Sequence, residues 1–159
     1  MIDSPGRKDA ISRFPGPYRM TQKDIAFNPH ILIVPVGANV AFPNMDKVRH
    51  HVYSFSSINK FELKLYGREE NRSVVFPKPG VAALGCNIHD SMAAFVVVVD
   101  TPFAARTDAA GRVSIPGVPP GRATLRVWHA SIRAPGQQTT QPLAIPAGPI
   151  SQTISVPVR

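Results

Sequence analysis

Prolines interrupt this chain too often for long helices. There are 17 of them in 159 residues, and each one inside a helix removes a backbone hydrogen bond and clashes with the preceding turn, at ~3 kcal/mol or more. The stretches between them are short and rich in β-branched residues. Ile31-Leu32-Ile33-Val34 stops at Pro35, and Ser73-Val74-Val75-Phe76 stops at Pro77. Phe61-Glu62-Leu63-Lys64-Leu65 alternates apolar and charged residues, the mark of a half-buried strand. Residues 95–99 are apolar at every position, as in a strand covered on both faces. An all-β chain of short strands and rigid turns is expected.

Further strands are expected over residues 20–27, 30–34, 40–42, 50–55 and 81–84, then over 111–115, 122–128 and 143–145. A last one is expected over 150–158, where Pro157 marks an edge strand. Residues 1–19 mix charges with Pro5, Gly6, Pro15, Gly16 and Pro17 and show no hydrophobic period, so an irregular arm is expected there. Composition changes near Asp100-Thr101-Pro102. Beyond it Lys disappears and nine of the 17 prolines fall. Three segments follow: the arm over 1–19, a domain over 20–100 and a smaller module over 101–159.

One loop carries the chemistry. Gly85-Cys86-Asn87-Ile88-His89-Asp90-Ser91-Met92 lies between two apolar runs and holds a thiol, an imidazole and a thioether within seven residues. Those donors favour a soft or borderline ion, and two His, one Cys and a weak axial Met form the set that a blue copper centre uses. The loop supplies one His; the second candidate is His50, in Arg49-His50-His51-Val52. Neighbours on a strand face opposite ways, so His50 and His51 cannot both reach one ion. A lone cysteine is usually a small buried hydrophobe, but Cys86 has His89 and Met92 at ligand spacing. As the single Cys it excludes an internal disulfide. His30 and His129 read as structural, Met20 and Met45 as gap-fillers.

Net charge is +8 and uneven: residues 1–100 carry twelve Lys or Arg against nine acids, and residues 101–159 carry six Arg against Asp108. A basic surface suits acidic partners. With no helix-turn-helix pattern and no aromatic-basic strand, nucleic-acid binding is not expected. No apolar run approaches the ~18 residues of a membrane span. The first residues lack the apolar core of a secretory signal, so either the protein stays inside or an export signal has been trimmed.

With these residues placed, residues 20–100 resemble a cupredoxin, the small blue copper proteins that include plastocyanin and amicyanin. The likeness lies in an upstream His50 strand and a Cys86-x-x-His89-x-x-Met92 loop of the short amicyanin type. A Val36-Gly37 turn, Asn44 and a Pro79-Gly80 turn add context. Arg49-His50-His51-Val52-Tyr53-Ser54-Phe55-Ser56 with Gly85-Cys86-Asn87-Ile88-His89-Asp90 further resembles bacterial plastocyanin-like proteins labelled methylamine-utilisation proteins. The resemblance implies a Greek-key β-sandwich and one type 1 copper per chain on His50, Cys86, His89 and Met92. It also implies a periplasmic location and a redox protein partner, such as a dehydrogenase or cytochrome. Residues 103–128, with Thr107-Asp108-Ala109-Ala110-Gly111 and Pro119-Pro120-Gly121, more loosely resemble carboxypeptidase-regulatory or transthyretin-like modules, implying a partial β-sandwich.

The function expected from this is single-electron transfer without catalysis. Copper storage, delivery or sensing is the alternative, but such proteins use Met-rich or His-rich tracts, and the four Met here are unclustered. A metal-free binding module is a further alternative, disfavoured by the full ligand set. An oxidase or nitrite reductase needs a further copper on extra histidines, and His30 and His129 do not make a cluster.

Overall fold

The computed structural model describes residues 1–4 and 13–158. It divides into two compact units, Ala10–Asp100 and a second made of Met1–Asp9 with Thr101–Arg159. In chain order the strands begin with β1 (Ile2–Asp3), β2 (Tyr18–Arg19), β3 (Thr21–Lys23), β4 (Ala26–Asn28) and β5 (Ile31–Pro35). Next come β6 (Ala38–Ala41), β7 (His50–Ser54), β8 (Phe61–Tyr66), β9 (Ser73–Phe76), β10 (Gly80–Cys86) and β11 (Ala93–Val99). The last are β12 (Gly121–Trp128) and β13 (Gln138–Ile145). No helix among the described residues is long and apolar enough to cross a membrane.

The unit over Ala10–Asp100 is a β-sandwich. Its larger sheet has the order β5-β11-β10-β7-β8 and its smaller one β2-β6-β9. In the larger sheet β5 runs parallel to β11, and the other pairs are antiparallel. Alternation puts Val34, Val52, Tyr66, Ala82, Leu84, Val96 and Val98 of the larger sheet on the inner face. Ala38, Val40 and Phe76 of the smaller sheet join them in one buried cluster. The apolar run over 95–99 is almost fully covered from Val96 onward.

A buried polar chain crosses this core. The Gln22 amide donates to the Tyr66 hydroxyl (2.5 Å), which donates to the Phe42 carbonyl (2.7 Å). Burial pushes the Tyr66 hydroxyl up to about 12, so it stays a donor at any ordinary pH. Tyr66→Phe strips the Gln22 amide and Phe42 carbonyl of a partner and is expected to destabilise the metal-free protein by about 1–3 kcal/mol, read as a lower urea midpoint.

The single strand expected over 20–27 is instead a tight hairpin of β3 and β4. Asp24 and Ile25 turn it, both at φ 55°. Two residues at positive φ are what a short hairpin turn requires, but a β-branched Ile is rare there. Asp46 supplies the missing support, its carboxylate accepting the N–H of Asp24 (2.7 Å) and of Ile25 (3.1 Å). Of the stretch expected to be an irregular arm, residues 5–12 lie outside the described residues. Ile2–Asp3 and Tyr18–Arg19 are paired strands.

The second unit holds a three-stranded antiparallel sheet, β1-β12-β13. Ile2, Phe103 and Ala123 form its small core, with Ile115, Val118, Leu125, Leu143 and Ile145 packed against them. The strand expected over 111–115 is absent. There the Asp108 side chain captures the N–H of Ala110 (2.9 Å) and Arg112 (2.8 Å), bending the backbone into a turn that competes with a ladder. The strand expected over 150–158 is reduced to a bridge between Val158 and Ile132.

Candidate metal centre

β7 and β10 bring the first two candidate ligands together. Their register pairs Cys86 with Val52, and His50 lies two residues before Val52 on the same inward face. Such diagonal neighbours on adjacent strands are within reach of each other's side chains. Both are buried, His50 at 0 % and Cys86 at 3 % exposure. A bulge in the β7–β8 pairing between His50 and Val52 leaves His50 opposite Tyr66. The outward neighbour His51 takes a different role, with its Nε2 at 2.7 Å from Glu62 Oε1.

The loop after Cys86 folds back over it. Asn87 N–H donates to the His51 carbonyl (3.0 Å), tying the loop to β7, and Met92 N–H donates to the His89 carbonyl (3.0 Å), closing a turn. This leaves His89 half-buried and Met92 buried in the same core cluster as Cys86. His50 Nδ1 stands 3.8 Å and His89 Nδ1 3.7 Å from Cys86 Sγ. The two imidazoles meet edge to face with centroids 5.1 Å apart. One donor atom from each of the three residues lies within 4.8 Å of the others.

These gaps fit a metal ion. An ion ~2.0–2.1 Å from nitrogen and ~2.3 Å from sulfur sets the sulfur–nitrogen gap at about 3.8 Å in a trigonal plane and about 3.6 Å in a tetrahedron. The observed 3.7 and 3.8 Å fall within that range. His30 and His129 stand outside the cluster, His30 Nδ1 near the Ala93 carbonyl and His129 Nδ1 accepting the N–H of Ser131. Met20 is a core residue and Met45 is exposed.

Asp46, which the sequence did not mark, stands behind His50. Its Oδ2 is 2.8 Å from His50 Nε2, and its N–H donates to Asn44 Oδ1 (2.8 Å). Asn44 is itself pinned by bonds from its amide to the carbonyls of Val48 (2.9 Å) and Tyr66 (3.1 Å). Burial pushes the Asp46 carboxyl up, but the hydrogen bonds from His50, Ile25 and Asp24 outweigh it and hold the group below its usual 3.8. A carboxyl with a depressed folded value stabilises the fold above the unfolded value and loses that contribution as pH falls through the folded one. The stability gap between metal-free wild type and Asp46→Ala is therefore expected to be full at neutral pH and to shrink below pH 3.8, as urea midpoints across that range would show.

No family model matches the chain, and no curated protein is similar to it. Solved structures are. A copper-containing nitrite reductase (NirK) from Thermus scotoductus is 27 % identical over 54 % of this chain and 23 % of its own, with a TM-score of 0.50. The chain thus spans about a quarter of that reductase. A purple cupredoxin from Nitrosopumilus maritimus is 22 % identical over 52 % of this chain and all of its own, at TM-score 0.48. An amicyanin variant in its reduced Cu(I) form at pH 4 is 24 % identical over 62 % of this chain and 97 % of its own, also at 0.48. The sandwich over Ala10–Asp100 has the cupredoxin fold, and it gathers a His, Cys and His set typical of a type 1 copper site.

Proposed function

We propose that the chain would bind one copper ion through His50 Nδ1, Cys86 Sγ and His89 Nδ1, with Met92 as a weaker fourth ligand, and pass single electrons between redox proteins. The observation that carries this reading is the convergence of the three donors, from two strands and a loop, within 4.8 Å. Two imidazoles and a thiolate with a thioether available form the donor set that favours copper. The likeness to a copper-containing nitrite reductase supports the same metal, but its catalysis does not transfer to a chain that spans 23 % of it. Copper so held supplies outer-sphere one-electron transfer with little rearrangement of its ligands.

The protein's own groups divide the remaining work. His50 is fixed in the core, and Cys86 is shielded from water. His89 keeps part of its ring at the surface, beside Ile88, which is 51 % exposed. This exposed apolar side chain beside the half-exposed ligand suits transient docking of a redox partner. A periplasmic setting follows from the resemblance to exported plastocyanin-like proteins.

Repeated cycling tests the carrier role. Copper-loaded protein reduced with ascorbate and reoxidised with ferricyanide is expected to lose and regain its colour over many rounds while a Cu(I) chelator removes none of the metal. Loss of copper to the chelator at each reduction would identify a delivery protein instead.

A further inference from the structure

A neutral imidazole has one N–H and one lone pair, and what faces each nitrogen decides which is which. His50 Nε2 faces the Asp46 carboxylate at 2.8 Å, a group that only accepts, while Nδ1 faces Cys86 Sγ at 3.8 Å. Nε2 therefore carries the proton, and the Nδ1 lone pair points toward the sulfur. His50 is wholly buried, so no water competes for either nitrogen.

Asp46 is held on its other sides as well. Its Oδ1 accepts the N–H of Asp24, its Oδ2 also accepts the N–H of Ile25, and its own N–H is bound to Asn44. One carboxylate thus joins the β3–β4 turn to the buried face of His50. The carboxylate can neither rotate nor withdraw without releasing the two positive-φ residues of that turn.

We propose that Asp46 is the positioning residue of the metal centre: it sets the His50 tautomer and ring angle before any metal arrives, and its charge strengthens His50 as a donor to the oxidised ion. The first half stands without the metal; the second rests on the copper reading above. Carboxylate partners of metal-bound His raise ligand basicity, and their loss costs about 10–100-fold in metal affinity. A more basic His50 favours Cu(II) over Cu(I), so Asp46 lowers the reduction potential.

Long-range proton–nitrogen correlation spectra of 15N-labelled, metal-free protein read the tautomer directly. The wild type is expected to show His50 with Nε2 protonated and Nδ1 bare. Asp46→Ala is expected to show a mixture of tautomers and about 10–100-fold weaker copper binding. A wild-type spectrum with Nδ1 protonated, or an Asp46→Ala protein with unchanged tautomer and affinity, would overturn the positioning role. Asp46→Asn keeps an acceptor oxygen of nearly the same shape and drops the charge, so it decides the case if Asp46→Ala fails to fold. Asp46→Asn is expected to stay blue with a raised potential, and an unchanged potential would overturn the tuning role. A wild type that takes no colour from copper would instead sink the copper reading, leaving the tautomer result to stand or fall alone.

Discussion

Cys86→Ser is expected to abolish the intense visible absorption proposed for the copper-loaded protein. The colour arises from charge transfer between a thiolate and Cu(II), and an alcohol in its place is a harder donor that does not ionise near neutral pH. The loss of copper affinity should far exceed the ~10–100-fold expected when an outer partner such as Asp46 is removed. Cys86 is 3 % exposed and part of the main core cluster, so the buried hydroxyl also costs about 1–3 kcal/mol unless it finds a partner. A urea titration of the metal-free variant separates that cost from the lost ligand. A Cys86→Ser protein that kept the band would remove the thiolate from the account.

Gly80→Ala is expected to destabilise the cupredoxin unit by roughly 2–6 kcal/mol, the sum of a strained backbone and an overpacked contact. Gly80 sits at φ 133°, where L residues are scarcely found, and a Cβ there would lie 2.7 Å from Ile58 Cγ2. It opens β10, pairing with Val98 of β11, so the strain falls on the strand that delivers Cys86. Gly121→Ala, at the same φ of 133° but with nothing within 4 Å, isolates the backbone contribution and should cost less. Urea midpoints of the two metal-free variants make the comparison.

The strands around the site were legible because each carries its own signal. Proline spacing bounds β5 and β9, alternation marks β8, and the unbroken apolar run marks β11. The loop was legible for the same local reason: Cys86, His89 and Met92 lie within seven residues. Strand alternation also shows why only one of His50 and His51 turns toward Cys86, while the other meets Glu62 on the outer side. Met92 is buried in the same core cluster as Cys86, and its place as a ligand belongs to the proposal.

What stayed hidden depends on contacts between distant residues or on side chains that bond to nearby backbone. Residues 20–27 have enough β-formers for one strand, and they bend because the Asp46 carboxylate, twenty-two positions beyond Asp24, holds two N–H groups in an unfavourable turn. Asp46 lies only four positions before His50, yet it is hidden as a partner because a charged residue in a loop ordinarily reads as solvated. Gly111-Arg112-Val113-Ser114-Ile115 has a strand's composition, yet Asp108 takes the N–H of Arg112 and of the preceding Ala110 and turns the chain there. β1 escaped notice because two residues carry no period. Their pairing with Thr124 and Leu125 is visible only in three dimensions.

The electron paramagnetic resonance spectrum of the Cu(II)-loaded protein tests the metal centre most directly. If copper is held by His50, Cys86 and His89 as proposed, its unpaired electron would be shared with the Cys86 sulfur, and the parallel copper hyperfine splitting is expected to be narrow. The wide splitting of a tetragonal nitrogen and oxygen site, with Cys86 unbound, would contradict it.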